Sequence, residues 1–162
     1  MSPPVQVDPM TAQDLAAVVS IEGPTQMSEA SLHEEMLRPW SRMWVARDGG
    51  GVVAFVVAWH VADELHILNI ATRADCRRRG IGKALMDAVL GYGRRREVRR
   101  LLLEVRRSNR VAIALYRAIG FFATGVRARY YADDEDAVEM VLALDPETGD
   151  ILPHTDEVRL DS

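Results

Sequence analysis

The sequence predicts one mixed α/β domain, and three observations predict it. Short apolar or alternating runs read as strands at residues 43–47, 52–61, 65–71, 101–106 and 137–144. Apolar residues recur with helical spacing after Thr11, Ser28, Gly80 and Asn109. No interior linker, repeat or low-complexity stretch separates these elements, and 162 residues suffice to bury a core without disulfide staples.

Taken in order, residues 5–8 form a first strand, closed by Pro9. Thr11 caps a helix over 12–22 with Leu15, Val18 and Val19 inward, and Gly23-Pro24 breaks it. Ser28 caps a second helix with Leu32, Met36 and Leu37 on its apolar face, ending before Pro39. Gly49-Gly50-Gly51 reads as a hairpin turn between the strands at 43–47 and 52–61. After the strand at 65–71, Ile81, Ala84, Leu85, Ala88, Val89 and Tyr92 mark one buried helix face, to about residue 96. In 101–106, Leu101, Leu103 and Val105 face one way and Leu102, Glu104 and Arg106 the other. Ser108 and Asn109 start a fourth helix with Val111, Ala112, Leu115 and Ile119 inward, and Gly120 stops it. Strands at 121–130 and 137–144 follow, joined by the acidic turn at 133–136. The domain is expected over residues 1–145, and the polar, aperiodic tail 146–162 is expected to be ordered only in part.

Composition narrows the function classes. Apolar residues are 48% and charged residues 27%, ordinary globular values. No apolar run reaches the roughly 20 residues of a membrane helix. MSPPVQVDPM lacks a basic-then-apolar signal pattern, so the cytoplasm is the expected address. Cys76 is the one cysteine and His33, His60, His66 and His154 are scattered, so neither a disulfide nor a metal site is expected. Charge is segregated: residues 73–130 hold 16 of the 20 Lys and Arg but 4 of the 24 Asp and Glu, a net of +12 against −16 elsewhere. Such a field suits a multiply anionic small ligand better than a long nucleic acid. The arginines at 94–96 and 99–100 read as a solvated helix end, and nucleic-acid binding is not expected.

The same segment contains the strongest motif, ILNIATRADCRRRGIGK at 67–83. A strand enters a cluster of arginines, and a helix begins at Gly80-Ile81-Gly82. Bare backbone N–H groups, two glycines and four nearby basic side chains form an expected phosphate site. Neither GxxxxGK[ST] nor GxGxxG fits, because Ala84 and Leu85 stand where those motifs need Ser/Thr and Gly.

RRRGIGKALM, then LEVRRSNRVAIALYRAIGF and the RYY…EDAVEM ending, resemble the GNAT superfamily of acetyl-CoA-dependent N-acetyltransferases over about residues 5–144. Within it the nearest likeness is to enzymes that acetylate the N-terminal alanine of a small-subunit ribosomal protein. The resemblance implies a mixed central sheet of about six to seven strands flanked by about four helices. It implies acetyl-CoA as co-substrate, with the backbone of Ile70, Ala71 and Thr72 along the pantetheine arm. Arg78, Arg79, Gly80, Ile81, Gly82 and Lys83 would hold the pyrophosphate, and Asn109 would bond the cofactor. Glu104 would be the general base and Tyr116 the general acid.

Chemistry fits these roles. An ammonium must lose a proton before attacking a thioester, and partial burial at the end of an apolar strand suits Glu104 to take it. Tyr116, one position off the expected apolar stripe, could pack its ring and reach a cleft with its hydroxyl. Cys76 has no histidine near it in sequence, so direct attack by the amine is expected. A backbone N–H near Ile70 or Ala71 would stabilise the developing oxyanion. The expected partner is a protein N-terminus. Tyr130-Tyr131, with the carboxylates of Asp63, Glu64 and residues 133–136, would face this cationic acceptor. Residues 23–28, GPTQMS, replace the aromatic-Pro-Trp-Ser motif of the ribosomal-protein enzymes. A small-molecule amine, a lysine side chain, or an idle CoA-binding sensor stay open as alternatives.

Overall fold

The computed structural model describes residues 5–21 and 27–160. The expected break at Gly23-Pro24, and most of the loop replacing the aromatic-Pro-Trp-Ser motif, lie outside them. Two compact units emerge, one of Met1–Val61 with Ile67–Tyr92, the other of Ala62–His66 with Gly93–Ser162.

In the first unit, β1 (Gln6–Pro9) pairs antiparallel with β2 (Ser41–Asp48), and β2 with β3 (Gly51–Val61). Gly49 and Gly50 turn β2 into β3 with φ +64° and +95°, the left-handed conformations that a two-residue hairpin loop demands. β4 (Glu64–Thr72) follows, its residues from Ile67 belonging to this unit. The first predicted helix is shorter than expected: a 3-10 turn, Ala12–Asp14, runs into α1 (Leu15–Val19). Asp14 causes the tight start, its carboxylate accepting from the Thr11 N–H and Oγ1–H while Arg47 Nη1 holds it at 2.7 Å. α2 (Glu29–Met36) is capped as predicted, Ser28 Oγ accepting from the Ser31 N–H at 3.0 Å. Leu32 is buried, but Leu37 turns outward at 70% exposure because the helix has already ended at Met36. Leu15, Val18, Leu32, Val45, Phe55 and Val57 build the core.

The strongest sequence pattern gives α3 (Ile81–Arg95), with Ile81, Leu85, Val89 and Tyr92 buried as expected. Met86 and Leu90 are buried too, so the apolar face is wider than one stripe.

In the second unit β7 (Ala137–Leu144) lies between β5 (Arg100–Arg106) and β6 (Phe122–Arg127), antiparallel to both. β5 alternates as read, Leu101, Leu103 and Val105 buried and Glu104 exposed. α4 (Arg110–Ile119) corrects the predicted face by one position: Ile113 and Tyr116 are buried, and Val111 is 77% exposed. Asn109 caps this helix, so Val111 falls in its first turn, on the side away from Ile113 and Tyr116. The polar segment after Asp145 contributes β8 (Ile151–Leu152), paired with the end of β7. Beyond it, Asp156 accepts from Arg117 Nη2 at 2.5 Å and from the Ala123 N–H at 2.9 Å.

Candidate active site

The predicted phosphate loop lies in the first unit. β4 ends at Thr72, and a 3-10 turn, Ala74–Cys76, packs the Cys76 side chain inward at 3% exposure. Arg77 is extended, Arg78 has φ +66° and Gly80 φ +76°. These two left-handed positions bend the chain sharply between β4 and α3. The first bond of α3 is Ala84 N–H to Gly80 C=O at 3.1 Å, so the N–H groups of Ile81, Gly82 and Lys83 precede the helical ladder. Nothing stands within 4 Å of where a Gly80 Cβ would be, leaving the approach open. Arg77 Nε reaches back to the Thr72 carbonyl at 3.4 Å, joining the loop to the end of β4. Arg79 is fixed on Asp48 at 2.7 Å, which holds its guanidinium above its ordinary pKa. This loop fits a phosphorylated ligand by its donors and by its open glycine. Ile70 and Thr72 are part-exposed on β4 and Ala71 is buried.

The second unit holds the other predicted residues. Glu104 stands on the outward face of β5, opposite its buried neighbours Leu103 and Val105, with its side chain 30% exposed. Arg127 Nη1 lies 3.7 Å from Glu104 Oε1. The Glu104 carboxylate also acts on Tyr130, raising its phenol by hydrogen bonding and then by charge. Tyr131 is raised first by burial and then by Glu104. The two tyrosine rings meet edge to face at 5.1 Å, and Arg106 lies over Tyr131 at 4.2 Å.

Tyr116 sits on the buried face of α4 against Phe121, centroids 5.7 Å apart. Burial, with Tyr131 second, pushes its phenol up to about 12. Asn109 Oδ1 accepts from the Ala112 N–H at 3.1 Å, leaving its amide NH₂ as the group available to a ligand. Glu104, Tyr130, Tyr131 and Tyr116 thus form one electrostatic neighbourhood. A cavity of about 720 Å³ lies by α4, lined by Arg107, Arg110, Ile113, Arg117, Asp134 and Leu160 among others, but neither Glu104 nor Tyr116 lines it.

A family model for the acetyltransferase (GNAT) family matches residues 11–121. The chain belongs to the GNAT family. The ribosomal protein bS18-alanine N-acetyltransferase of Escherichia coli (strain K12) is 40% identical over 98 residues, 59% of this chain. The match spans 66% of that relative's own length, just under two thirds. The N-alpha-acetyltransferase RimI of Mycobacterium tuberculosis (H37Rv) is 30% identical over 137 residues, covering 79% of this chain and 85% of the relative. The crystal structure of the ribosomal-protein-S18-alanine N-acetyltransferase from Escherichia coli superposes with a TM-score of 0.79 at 30% identity, over 96% of this chain and 99% of that one. The fold class is therefore the α/β fold of the GNAT family.

In this GNAT chain five of the acidic residues expected to meet a cationic acceptor, Asp63, Glu64, Asp133, Glu135 and Asp136, are engaged with the chain's own arginines. Arg106 pairs with Asp133 and Glu135 at 2.9 Å, and Arg107 with Asp136 at 3.1 Å. Glu135 also accepts from the Ser108 N–H and hydroxyl. Asp63 and Glu64 pair with Arg99 and Arg100 at 3.5 and 2.7 Å. Two residues that the sequence reading does not single out, Arg127 and Glu139, stand beside Glu104 instead. No sequence signal marks them, because their place beside Glu104 follows from the strand register, which puts Glu139 directly opposite Glu104. Among the described residues no group of three or more His, Cys, Asp or Glu could hold a metal ion, and no helix is long and apolar enough to cross a membrane.

Proposed function

We propose that this chain is an acetyl-CoA-dependent N-acetyltransferase whose acceptor is the free α-amine of a protein N-terminus, an alanine of a bS18-type ribosomal protein. The observation that carries the reading is the 40% identity to an Escherichia coli enzyme named for that activity. Acetyl-CoA, when bound, supplies an acyl thioester open to attack and a thiolate leaving group.

The chain's own residues supply the rest. Near neutral pH much of an α-amine is protonated and cannot attack until the proton leaves. Glu104, on the outward face of β5, is the acceptor for that proton. Tyr116, kept protonated by burial, donates a hydrogen bond to the departing sulfur. The N–H groups from Arg78 to Lys83 bind the pyrophosphate, with Gly80 allowing close approach. The backbone of Ile70, Ala71 and Thr72 aligns the pantetheine arm in the manner of an added strand, and an N–H at Ile70 or Ala71 meets the developing oxyanion. Asn109 contributes its amide NH₂.

The test is acetyl transfer followed by mass spectrometry. The acceptors are a peptide beginning with alanine, the same peptide N-blocked with its lysines free, and a pool of small amines. Transfer to the free N-terminus alone is the expected result. Transfer only to lysines or small amines overturns the N-terminal reading. Glu104→Gln should cost on the order of 10²- to 10⁴-fold in kcat, the usual worth of a general base.

A further inference from the structure

Two glutamates face each other across the sheet: Glu104 of β5 and Glu139 of β7 are direct Cα partners. Like charges placed so oppose each other unless something stands with them. Arg127 does. Its Nε donates to Glu139 Oε1, and its Nη1 lies 3.7 Å from Glu104 Oε1. The two contacts are unequal, since only the first is a charge-assisted hydrogen bond and the second is beyond hydrogen-bond reach. The chain makes room for this arrangement at Gly125, the β6 partner of Glu139, where a Cβ would stand 2.8 Å from Glu139 Oε2. Arg127 is itself 56% exposed, with its guanidinium 5.6 Å from the Tyr130 ring centroid, so little packing opposes its movement.

An acceptor ammonium approaching Glu104 competes with Arg127 for one carboxylate. We propose that Glu139 is a positioning residue for the acceptor, holding Arg127 off Glu104 and so keeping the base open to an incoming ammonium. This rests on the reading of Glu104 as the base. With Glu139 neutral, Arg127 loses its stronger carboxylate and closes on Glu104, where a bidentate pair would have to be broken at every turnover. Exposed ion pairs of this kind change an equilibrium by about two- to fivefold, weakening as salt screens them.

The experiment is steady-state kinetics with an alanine N-terminal peptide at saturating acetyl-CoA, on wild type, Glu139→Gln, Arg127→Gln, the double variant and Glu104→Gln. Glu139→Gln should raise peptide KM about two- to fivefold with kcat and the acetyl-CoA KM little changed. The double variant should return peptide KM towards wild type, which a purely structural role for Glu139 would not produce. Arg127→Gln alone should leave peptide KM at or below wild type, and it decides the matter if Glu139→Gln fails to fold. An unmoved KM in Glu139→Gln, a double variant worse than Glu139→Gln, or a raised KM in Arg127→Gln overturns the inference. Full turnover in Glu104→Gln overturns instead the base assignment beneath it.

Discussion

Tyr116 shows how burial sets chemistry at a single residue. At 6% exposure its phenol is pushed up to about 12, well above the ~8.5 of an ordinary thiol. Complete proton transfer from such a phenol to a thiolate is uphill, so in the proposed mechanism Tyr116 would act through a hydrogen bond that strengthens as charge develops on sulfur, rather than as the full general acid the resemblance implies. Tyr116→Phe should therefore lower kcat by on the order of 10²-fold, with acetyl-CoA affinity little changed. Equal kcat in the two proteins would remove Tyr116 from the mechanism. The same burial has a stability consequence. A folded pKa raised above the unfolded value of about 10 gives stability that is complete below pH 10 and lost as pH rises towards 12. Urea unfolding across that window should show a steeper alkaline fall in wild type than in Tyr116→Phe. That Tyr116 is a candidate was legible in the sequence; that it lies at the centre of the helix's buried face was not. Val111 is apolar and adjacent to the stripe, and only the packing of the helix in the fold decides which residues face inward.

At the scale of elements, the strands were legible as apolar runs, continuous in β3 and with the expected alternation in β5, while β7 alternates from Val138 onward. Helix starts were legible where a side chain caps them, at Ser28 and Asn109. β8 was not, since two residues cannot display a period and their pairing depends on a partner distant in sequence. Its contact with the end of α4 is tight: Gly120 has φ +134°, and a Cβ there would stand 2.8 Å from Ile151 Cγ2. Gly120→Ala meets both a backbone conformation that L-residues avoid and a side chain in the way. It should lower stability by about 1–3 kcal/mol, read by urea unfolding. Adding Ile151→Ala should recover only the steric part of the loss, the backbone strain remaining. Full recovery would mean that the φ angle costs nothing.

For the molecule as a whole, charge is the property that changes most between sequence and structure. The basic segment is +12 along the chain, yet folding brings carboxylates from outside it onto Arg79, Arg99, Arg100, Arg106, Arg107, Arg117 and Arg127. Sequence position gave the excess, and it could not give the pairing, which depends on strand register and on where the 133–136 turn folds. Under the proposed function, anion binding at the 78–83 loop would therefore rest on its backbone N–H groups more than on a field spread over the segment. Acetyl-CoA at about 100 times its Kd should add about 2.7 kcal/mol of stability. No rise in Tm under saturating acetyl-CoA would contradict cofactor binding at this loop.

The packing of Cys76 gives the folded chain a built-in clock. The only sulfhydryl in the sequence is shut inside the turn between β4 and α3, so an alkylating reagent can mark it only while that turn is open. Under native conditions each molecule should gain at most one cysteine-borne alkyl group, at the rate at which the loop leading to Gly80 comes undone. A ligand seated on the N–H groups of that loop should slow the labelling in proportion to its occupancy, without any engineered probe.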